Sequence, residues 1–503
     1  MKYDIPWSKQ YGKQSGIYGL FEFDTPVLTV CDFQLAHKIL VKHYDQFDRL
    51  DFNWPSEMSK CICFLNRDIQ RWKQVRSKTT ILFNTARMRI MYDQVIDQCS
   101  ANFCRHLSEN IGPDKQFSIK SEISRLCLDI FLANAFSLDS RMGNYGDDNE
   151  SDERQKYWSM MSVGLQLEGE VLWRELNVRM PGYVQRLANW WTGSNLDKSF
   201  DKLEKLISSY VVQRLVDNEN NRQINVGNDD DDDDDNDHNN DNNNKNLDTV
   251  GLYLKLVDKN VSVSDPISVR FLSYYLILLF QGLLSGITEI LSDMIIHLAR
   301  YPSVQSKLFD ELVDALETSG EQLVDDITTT TTTGSLNSRR KLSYDVLIHL
   351  PYMDAVIKEL LRLNPHVLRL SRLFSGSPAD SVASNLIPGL KLKPGDRLDI
   401  QLSAVHMSDE LFPDPYQFNP DRFLDPVSLR RLNKLDPAGL MFFGLGPQMC
   451  VGTRLAMLVI KSSLAHMLYN FQLYIPHIDD RSRPEWCDQF DNIPEYFYEK
   501  KSY

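Results

Sequence analysis

Residues 442–468 read FFGLGPQMCVGTRLAMLVIKSSLAHML: a glycine-rich turn, one cysteine, then a long apolar helix. Gly444 and Gly446 permit positive φ, and Pro447 stiffens the turn. Cys450 falls just before Gly452, at the start of the helix. Backbone N–H groups and the positive end of the helix stabilise a thiolate there. A thiolate on a rigid loop with small neighbours suits axial ligation of a flat iron macrocycle, where it pushes electron density toward the metal. The loop alone fits an inert cysteine buried beside a tight turn equally well. The dinucleotide pattern GxGxxG fails at Met449.

Working outward, the 503-residue chain is ordinary in composition, with 42% hydrophobic residues and a net charge of −14. A wholly disordered, collagen-like or polytopic membrane chain is excluded. The acidic balance argues against a nucleic-acid partner. Eight cysteines (Cys31, Cys61, Cys63, Cys99, Cys104, Cys127, Cys450 and Cys487) form neither a disulfide scaffold nor a CxxC pair, and HExxH and GxxxxGK[ST] do not occur. The first 19 residues lack an apolar stretch, so they are neither a signal peptide nor an anchor helix. The most apolar run, Phe271–Ile287, holds Ser, Tyr and Gln and reads as a buried helix through the centre of a large domain.

IYGLFEF and PVLTVCD predict a strand pair, and DFQLAHKILVKH predicts an Asp-capped helix. From about 66 to 218 the 3.6-residue period dominates. LSYDVLIHLPYMDAVIKELLRLNP reads as two helices, the second stopped by Asn364-Pro365. HVLRLSRLF and LKLKPGDRLDIQLSAV predict a small sheet, and DELFPDPYQFNPDRFLDP an irregular stretch. Two low-complexity inserts are expected, at about 218–247 and 318–341. The first has seven consecutive Asp at 229–235, which repel one another, and the second has six Thr at 328–333. Both read as loop expansions within one domain spanning 1–503.

The cysteine loop resembles the FxxGxxxCxG haem-ligand signature of the cytochrome P450 family. Trp72-Lys73-Gln74-Val75-Arg76 looks like that family's WxxxR element, Glu359-Leu360-Leu361-Arg362 like its ExxR motif, and Pro420-Asp421-Arg422-Phe423 like its PxRF element. The four motifs are in the family's order, and the similarity runs from about residue 3 to 475. The branch resembled is the microsomal drug-metabolising and thromboxane-synthase-like one. The resemblance implies a mainly α fold with a small β-sheet region, a single haem-thiolate domain, and heme b held through the Cys450 thiolate. It also implies haem contacts from Phe443, Gly446, Gln448 and Gly452, and propionate contacts from Trp72, Arg76 and Arg372. Glu359 and Arg362, at i,i+3 on an apolar helix face, can pair. With Arg422 they are expected to form a folding triad that holds the Cys450 loop.

Two positions depart from the family pattern. Gln448 stands where a cationic propionate partner is usual, so it can hydrogen-bond but brings no charge. The central helix usually carries an acid and an alcohol for proton delivery. Here Gln281-Gly282-Leu283-Leu284-Ser285-Gly286-Ile287-Thr288 puts Ser285 at the acid and Gly286 at the alcohol, or Leu284 and Ser285 after a shift of one. The oxygen site is therefore read as Ser285, Gly286 and Thr288, in degenerate form.

The expected activity is hydroxylation of an apolar lipid-like or drug-like substrate with O2 and electrons from NADPH. The missing pair keeps two alternatives open: a thromboxane-synthase-like isomerase or lyase of hydroperoxides or endoperoxides, and a non-catalytic haem-binding protein. Expected partners are NADPH-cytochrome P450 reductase, cytochrome b5, a small apolar substrate and a membrane surface, on the cytosolic face of the endoplasmic reticulum. The family's proteins carry an N-terminal anchor and this chain begins about where their soluble domain begins, so a truncated or soluble form is implied. Trp190 and Trp191, in MPGYVQRLANWW, suit a membrane-dipping loop or a core equally well. Arg71, Lys73, Arg454 and Lys461 are candidates for docking the reductase. The pocket is expected to be bounded by Leu279, Leu283, Leu284, Val367, Leu368 and the 46–64 loop.

Overall fold

The structure is a computed structural model. It describes residues 10, 12, 16–22, 25–49, 69–110, 118–138, 156, 159–164, 195–226, 248–256, 266–319, 324–325, 338–339, 342–377, 385–387, 389–426, 428, 440–474 and 497–500. The 180–191 stretch, the distal part of the 46–64 loop and most of both inserts lie outside these residues.

The N-terminal hairpin forms as its alternation predicts: β1 (Ile17–Glu22) pairs antiparallel with β2 (Thr25–Val30). Asp32 caps the next helix, α1 (Phe33–His37), accepting from the Leu35 amide at 2.7 Å. A π-type turn over Lys38–Lys42 leads to β3 (Phe47–Arg49). The helical region follows as α2 (Ile69–Ile81), α3 (Thr85–Met91), a π-type turn over Tyr92–Ile96, α4 (Asp97–Asn110), α5 (Ile119–Phe136) and α6 (Asn195–Val226). Helix α6 runs past 218, so the acidic insert begins later than its composition suggests. Short α7 (Thr249–Leu256) precedes α8 (Pro266–Arg300) and α9 (Pro302–Ser319). Within the Thr-rich insert, β4 (Val324–Asp325) and β5 (Ser338–Arg339) pair antiparallel, where sequence predicts no order. Then come α10 (Tyr344–Ile348) and α11 (Pro351–Leu363), which ends at Asn364 as expected.

The sheet has five strands in the order β1-β2-β7-β6-β3, with β6 (Arg369–Phe374) and β7 (Arg397–Gln401) inside it. The β2–β7 pairing is parallel and the others are antiparallel. The alternation of LKLKPGDRLDIQLSAV overstates the strand. Leu402–His406 is a short helix, α12, all but one of whose residues are buried. Tertiary burial overrides the local pattern there. The chain then passes through a 3-10 turn at Pro420–Phe423 and the cysteine loop into α13 (Thr453–Asn470), and β8 (Phe471–Tyr474) pairs with β9 (Phe497–Lys500).

Helix α8 is the axis of the larger core. Leu272, Leu276, Ile277, Phe280 and Leu284 are all fully buried, and the helix packs on α5, α6, α11 and α13. Among the described residues it is the one helix long and apolar enough to cross a membrane, and 61% of that window is buried within the protein. Sequence expects a buried central helix, and that is its place. The fold is mainly α with a small β-sheet region.

Candidate active site

The cysteine loop is a network of short turns. Gly444 and Gly446 have φ of 81° and 73°, which the turn requires. The Cys450 amide donates to the Phe443 carbonyl at 2.8 Å, and the Met449 amide to Gly446 at 3.0 Å. A side chain added at Gly446 would lie 2.3 Å from the Leu40 carbonyl oxygen, so the loop is pressed against the 38–42 turn. One added at Gly452 would lie 3.9 Å from Cys450 Sγ. Thr453 Oγ1 donates to the Cys450 carbonyl at 3.0 Å and ties the loop to α13. Cys450 is exposed, whereas Cys104 and Cys127 are buried and Cys31 and Cys99 half-buried. Burial pushes the Cys104 thiol well up, which leaves it inert.

A buried ionic cluster joins α11 to the 406–423 stretch that precedes the loop. Glu359 and Arg362 are fully buried on α11 and pair in a fork, at 2.8 Å from Nε and 2.9 Å from Nη2. Arg422 Nε donates to the same carboxylate at 3.0 Å, and so does the Asn419 amide at 2.9 Å. The remaining guanidinium hydrogens go to backbone carbonyls: Arg362 to His406 and Pro415, Arg422 to Pro413, Asp414 and Gln417. These bonds offset the desolvation of three charges and bind α11 to the irregular 406–423 stretch.

The residues expected to face the haem are compatible with it. Trp72, on α2, is buried, and its indole Nε1 has no hydrogen-bond partner among the described residues. A buried donor left so costs ~1–3 kcal/mol, and a carboxylate would satisfy it. Arg76 follows one turn later and is half-buried. Arg372 is buried on β6, where it donates to the Ser371 carbonyl at 2.9 Å, and Gln448 is half-buried. A side chain added at Gly282 or Gly286 would meet nothing within 4 Å. Val367, Leu368 and Met449 are exposed apolar side chains in the segments after α11 and before Cys450. Taken singly, an exposed thiol, open glycines, exposed apolar side chains and an indole without a partner among the described residues each suit contact with a flat, largely apolar, carboxylate-bearing group.

The three oxygen-site residues lie within one turn of α8, but their side chains have different partners. Ser285 is half-buried, and its Oγ lies 3.3 Å from His366 Nε2. His366 Nδ1 lies 2.6 Å from Glu289 Oε2. Thr288 is fully buried, with its Oγ1 3.4 Å from Ser124 Oγ and 3.9 Å from Cys127 Sγ, both on α5. Gly286 brings no polar side chain. Sequence reasoning missed His366 and Glu289. Glu289 is one helical turn after Ser285, a usable signal, but nothing local announces His366.

Two further expectations need correction. Lys461 is not available to a partner: it is buried, and its ammonium binds Asp354 at 2.8 Å and the Leu347 and Ile348 carbonyls at the end of α10. Leu284 is fully buried, and a side chain at Gly164 would lie 2.8 Å from its Cδ2, so it packs into the protein and does not bound a pocket. Arg454 and Lys73 are exposed.

The sequence profile of the cytochrome P450 family matches residues 6–490. Lithocholate 6-beta-hydroxylase of Mesocricetus auratus is 25% identical over 495 residues, covering 98% of this chain and 82% of the relative. Cytochrome P450 3A13 of Mus musculus is 24% identical (93% and 80% covered), and cytochrome P450 9b2 of Drosophila melanogaster 25% (92% and 80%). With the profile extending over nearly the whole chain, this protein is an enzyme of the cytochrome P450 family, whose prosthetic group is a haem ligated by a cysteine thiolate.

Proposed function

We propose that the chain is one haem-thiolate monooxygenase domain that hydroxylates an apolar, lipid-like or drug-like substrate. The observation that carries this reading is the presentation of Cys450: an exposed thiol on a hydrogen-bonded loop at the start of a buried helix. Heme b bound through that thiolate supplies the dioxygen chemistry. The protein supplies the rest. Phe443, Gly446 and Gly452 shape the loop around the ligand. Trp72, Arg76, Arg372 and Gln448 hold the propionates, and the neutral Gln448 contributes less than a cation would. Val367 and Leu368 give the pocket an apolar wall that binds substrate by burial and excludes water. The lithocholate in the name of the Mesocricetus auratus relative fits the same class. Electrons would come from NADPH through a flavoprotein reductase, with Arg454 and Lys73 as docking candidates, and the site of action would be the cytosolic face of the endoplasmic reticulum.

The peroxide-isomerase reading rests on Gly286, which leaves the central helix without its alcohol. The test is reconstitution with haem, reductase, NADPH and isotopically labelled dioxygen across fatty-acid and steroid-like substrates. Labelled oxygen in a product is the expected result. Turnover of a hydroperoxide without NADPH, with no labelled product, would replace this reading with the isomerase.

A further inference from the structure

Ser285 and Glu289 stand one turn apart on α8, and His366 bridges them from the segment that follows α11. Nε2 faces Ser285 Oγ at 3.3 Å, and Nδ1 faces Glu289 Oε2 at 2.6 Å. The bridge spans two surroundings. The His366 and Glu289 side chains are 31% and 49% exposed, so water reaches them. Ser285 is half-buried beside Gly282 and Gly286, whose flank of α8 is open, and Val367 and Leu368 adjoin His366. Partial burial pushes the Glu289 carboxyl up, but the hydrogen bond and charge of His366 outweigh it, with help from Lys120 on α5, and hold the group below the usual carboxylate range. Asp293, the next acid on α8, is occupied by the Asn364 amide at 3.1 Å, and burial pushes its carboxyl up.

We propose that Ser285, His366 and Glu289 form the proton-delivery chain of this site and replace the acid–alcohol pair that α8 lacks. This rests on the monooxygenase reading above. The Ser285 hydroxyl is the donor into the pocket. When it releases its proton there, Oγ takes the Nε2 proton of the His366 imidazolium, and the ring becomes neutral. Water returns one proton to Nε2, so one proton enters and one leaves per cycle. Glu289 stays ionised throughout, holding the Nδ1 proton and favouring the charged ring. It is a positioning residue. The same order of groups builds nucleophilic serine triads. Here the Ser285 and Gly286 amides lie mid-helix and are spent on the α8 ladder, so they cannot form the oxyanion site such a nucleophile needs.

The test uses the haem-loaded full chain with Ser285→Ala, Ser285→Thr, His366→Gln and Glu289→Gln. Histidine ring nitrogens are titrated by NMR in the diamagnetic ferrous carbon-monoxide complex, and His366→Gln assigns the signal. Glu289→Gln should lower the His366 midpoint by about one pH unit or more; an unmoved midpoint overturns the couple. Because the substrate is unidentified, dioxygen itself is the second probe, read as reductase-supported NADPH oxidation in air. Ser285→Ala and His366→Gln should slow it by about 10²-fold, and Ser285→Thr, which keeps the hydroxyl, should recover most of the rate. The wild-type rate should fall as pH rises through the His366 midpoint, and Glu289→Gln should move that fall to lower pH. Equal rates in wild type, Ser285→Ala and His366→Gln would overturn the relay. A wild type that forms the carbon-monoxide complex yet oxidises no NADPH would overturn the monooxygenase reading instead, and the NMR midpoint would still decide whether His366 and Glu289 are coupled.

Discussion

A methyl group at position 446 would sit 2.3 Å from the Leu40 carbonyl oxygen, in a backbone conformation with φ of 73°. Gly444 has nearly the same φ, 81°, but there the added carbon would lie 3.4 Å from Met449 Cα. The two glycines therefore separate two costs. The left-handed conformation alone costs a non-glycine residue ~1–2 kcal/mol, and this applies at both positions. At Gly446 the contact is with backbone, which cannot rotate away, so the loop must also move off the 38–42 turn. Gly446→Ala is expected to lower the melting temperature more than Gly444→Ala and to reduce the fraction of protein giving a thiolate-type ferrous carbon-monoxide spectrum. Equal losses in the two variants would show that the Leu40 contact does not set the position of the Cys450 loop.

At the scale of elements, the crossing of α5 and α8 decides what Thr288 does. Its hydroxyl faces Ser124 and Cys127 in a fully buried layer, whereas Ser285 contacts His366. Thr288→Val keeps the shape and removes the hydrogen bond, so it should cost about 0.5–1.5 kcal/mol of stability and leave NADPH oxidation within about twofold. A loss of oxidation as large as that of Ser285→Ala would return Thr288 to the oxygen site. The contrast shows how legible elements were. Strands 17–22 and 25–30, the capped helix after Asp32 and the stop at Asn364 follow from local signals that burial reinforces. The Glu359–Arg362 pair was legible because i,i+3 spacing is itself a contact. The third member, Arg422, came from resemblance alone, since 63 residues separate it from Glu359. His366 and Glu289 are 77 residues apart, and the alternation of RLDIQLSA runs on into Leu402–His406, which is buried as a helix. In each case the deciding partner comes from a distant part of the chain, which no local pattern reports.

For the whole molecule, the proposed propionate contact of Trp72 would link folding to cofactor binding. Without haem, the buried Nε1–H lacks an acceptor among the described residues, an arrangement that costs ~1–3 kcal/mol. A propionate oxygen at that donor would remove the penalty and add a charge-assisted hydrogen bond. Any ligand that binds only the folded state raises stability, by about 2.7 kcal/mol at a hundredfold excess over its Kd. Trp72→Phe therefore has opposite effects on the two forms. It deletes the stranded donor, so the apoprotein should melt at the same temperature or higher, despite a small loss of volume. It also deletes the proposed propionate partner, so the rise in melting temperature on adding haem should shrink, and haem should leave faster in a competition with apomyoglobin. An ordinary core tryptophan would behave otherwise: Trp72→Phe would lower both melting curves in parallel and leave the haem-induced increment and the haem-loss rate unchanged.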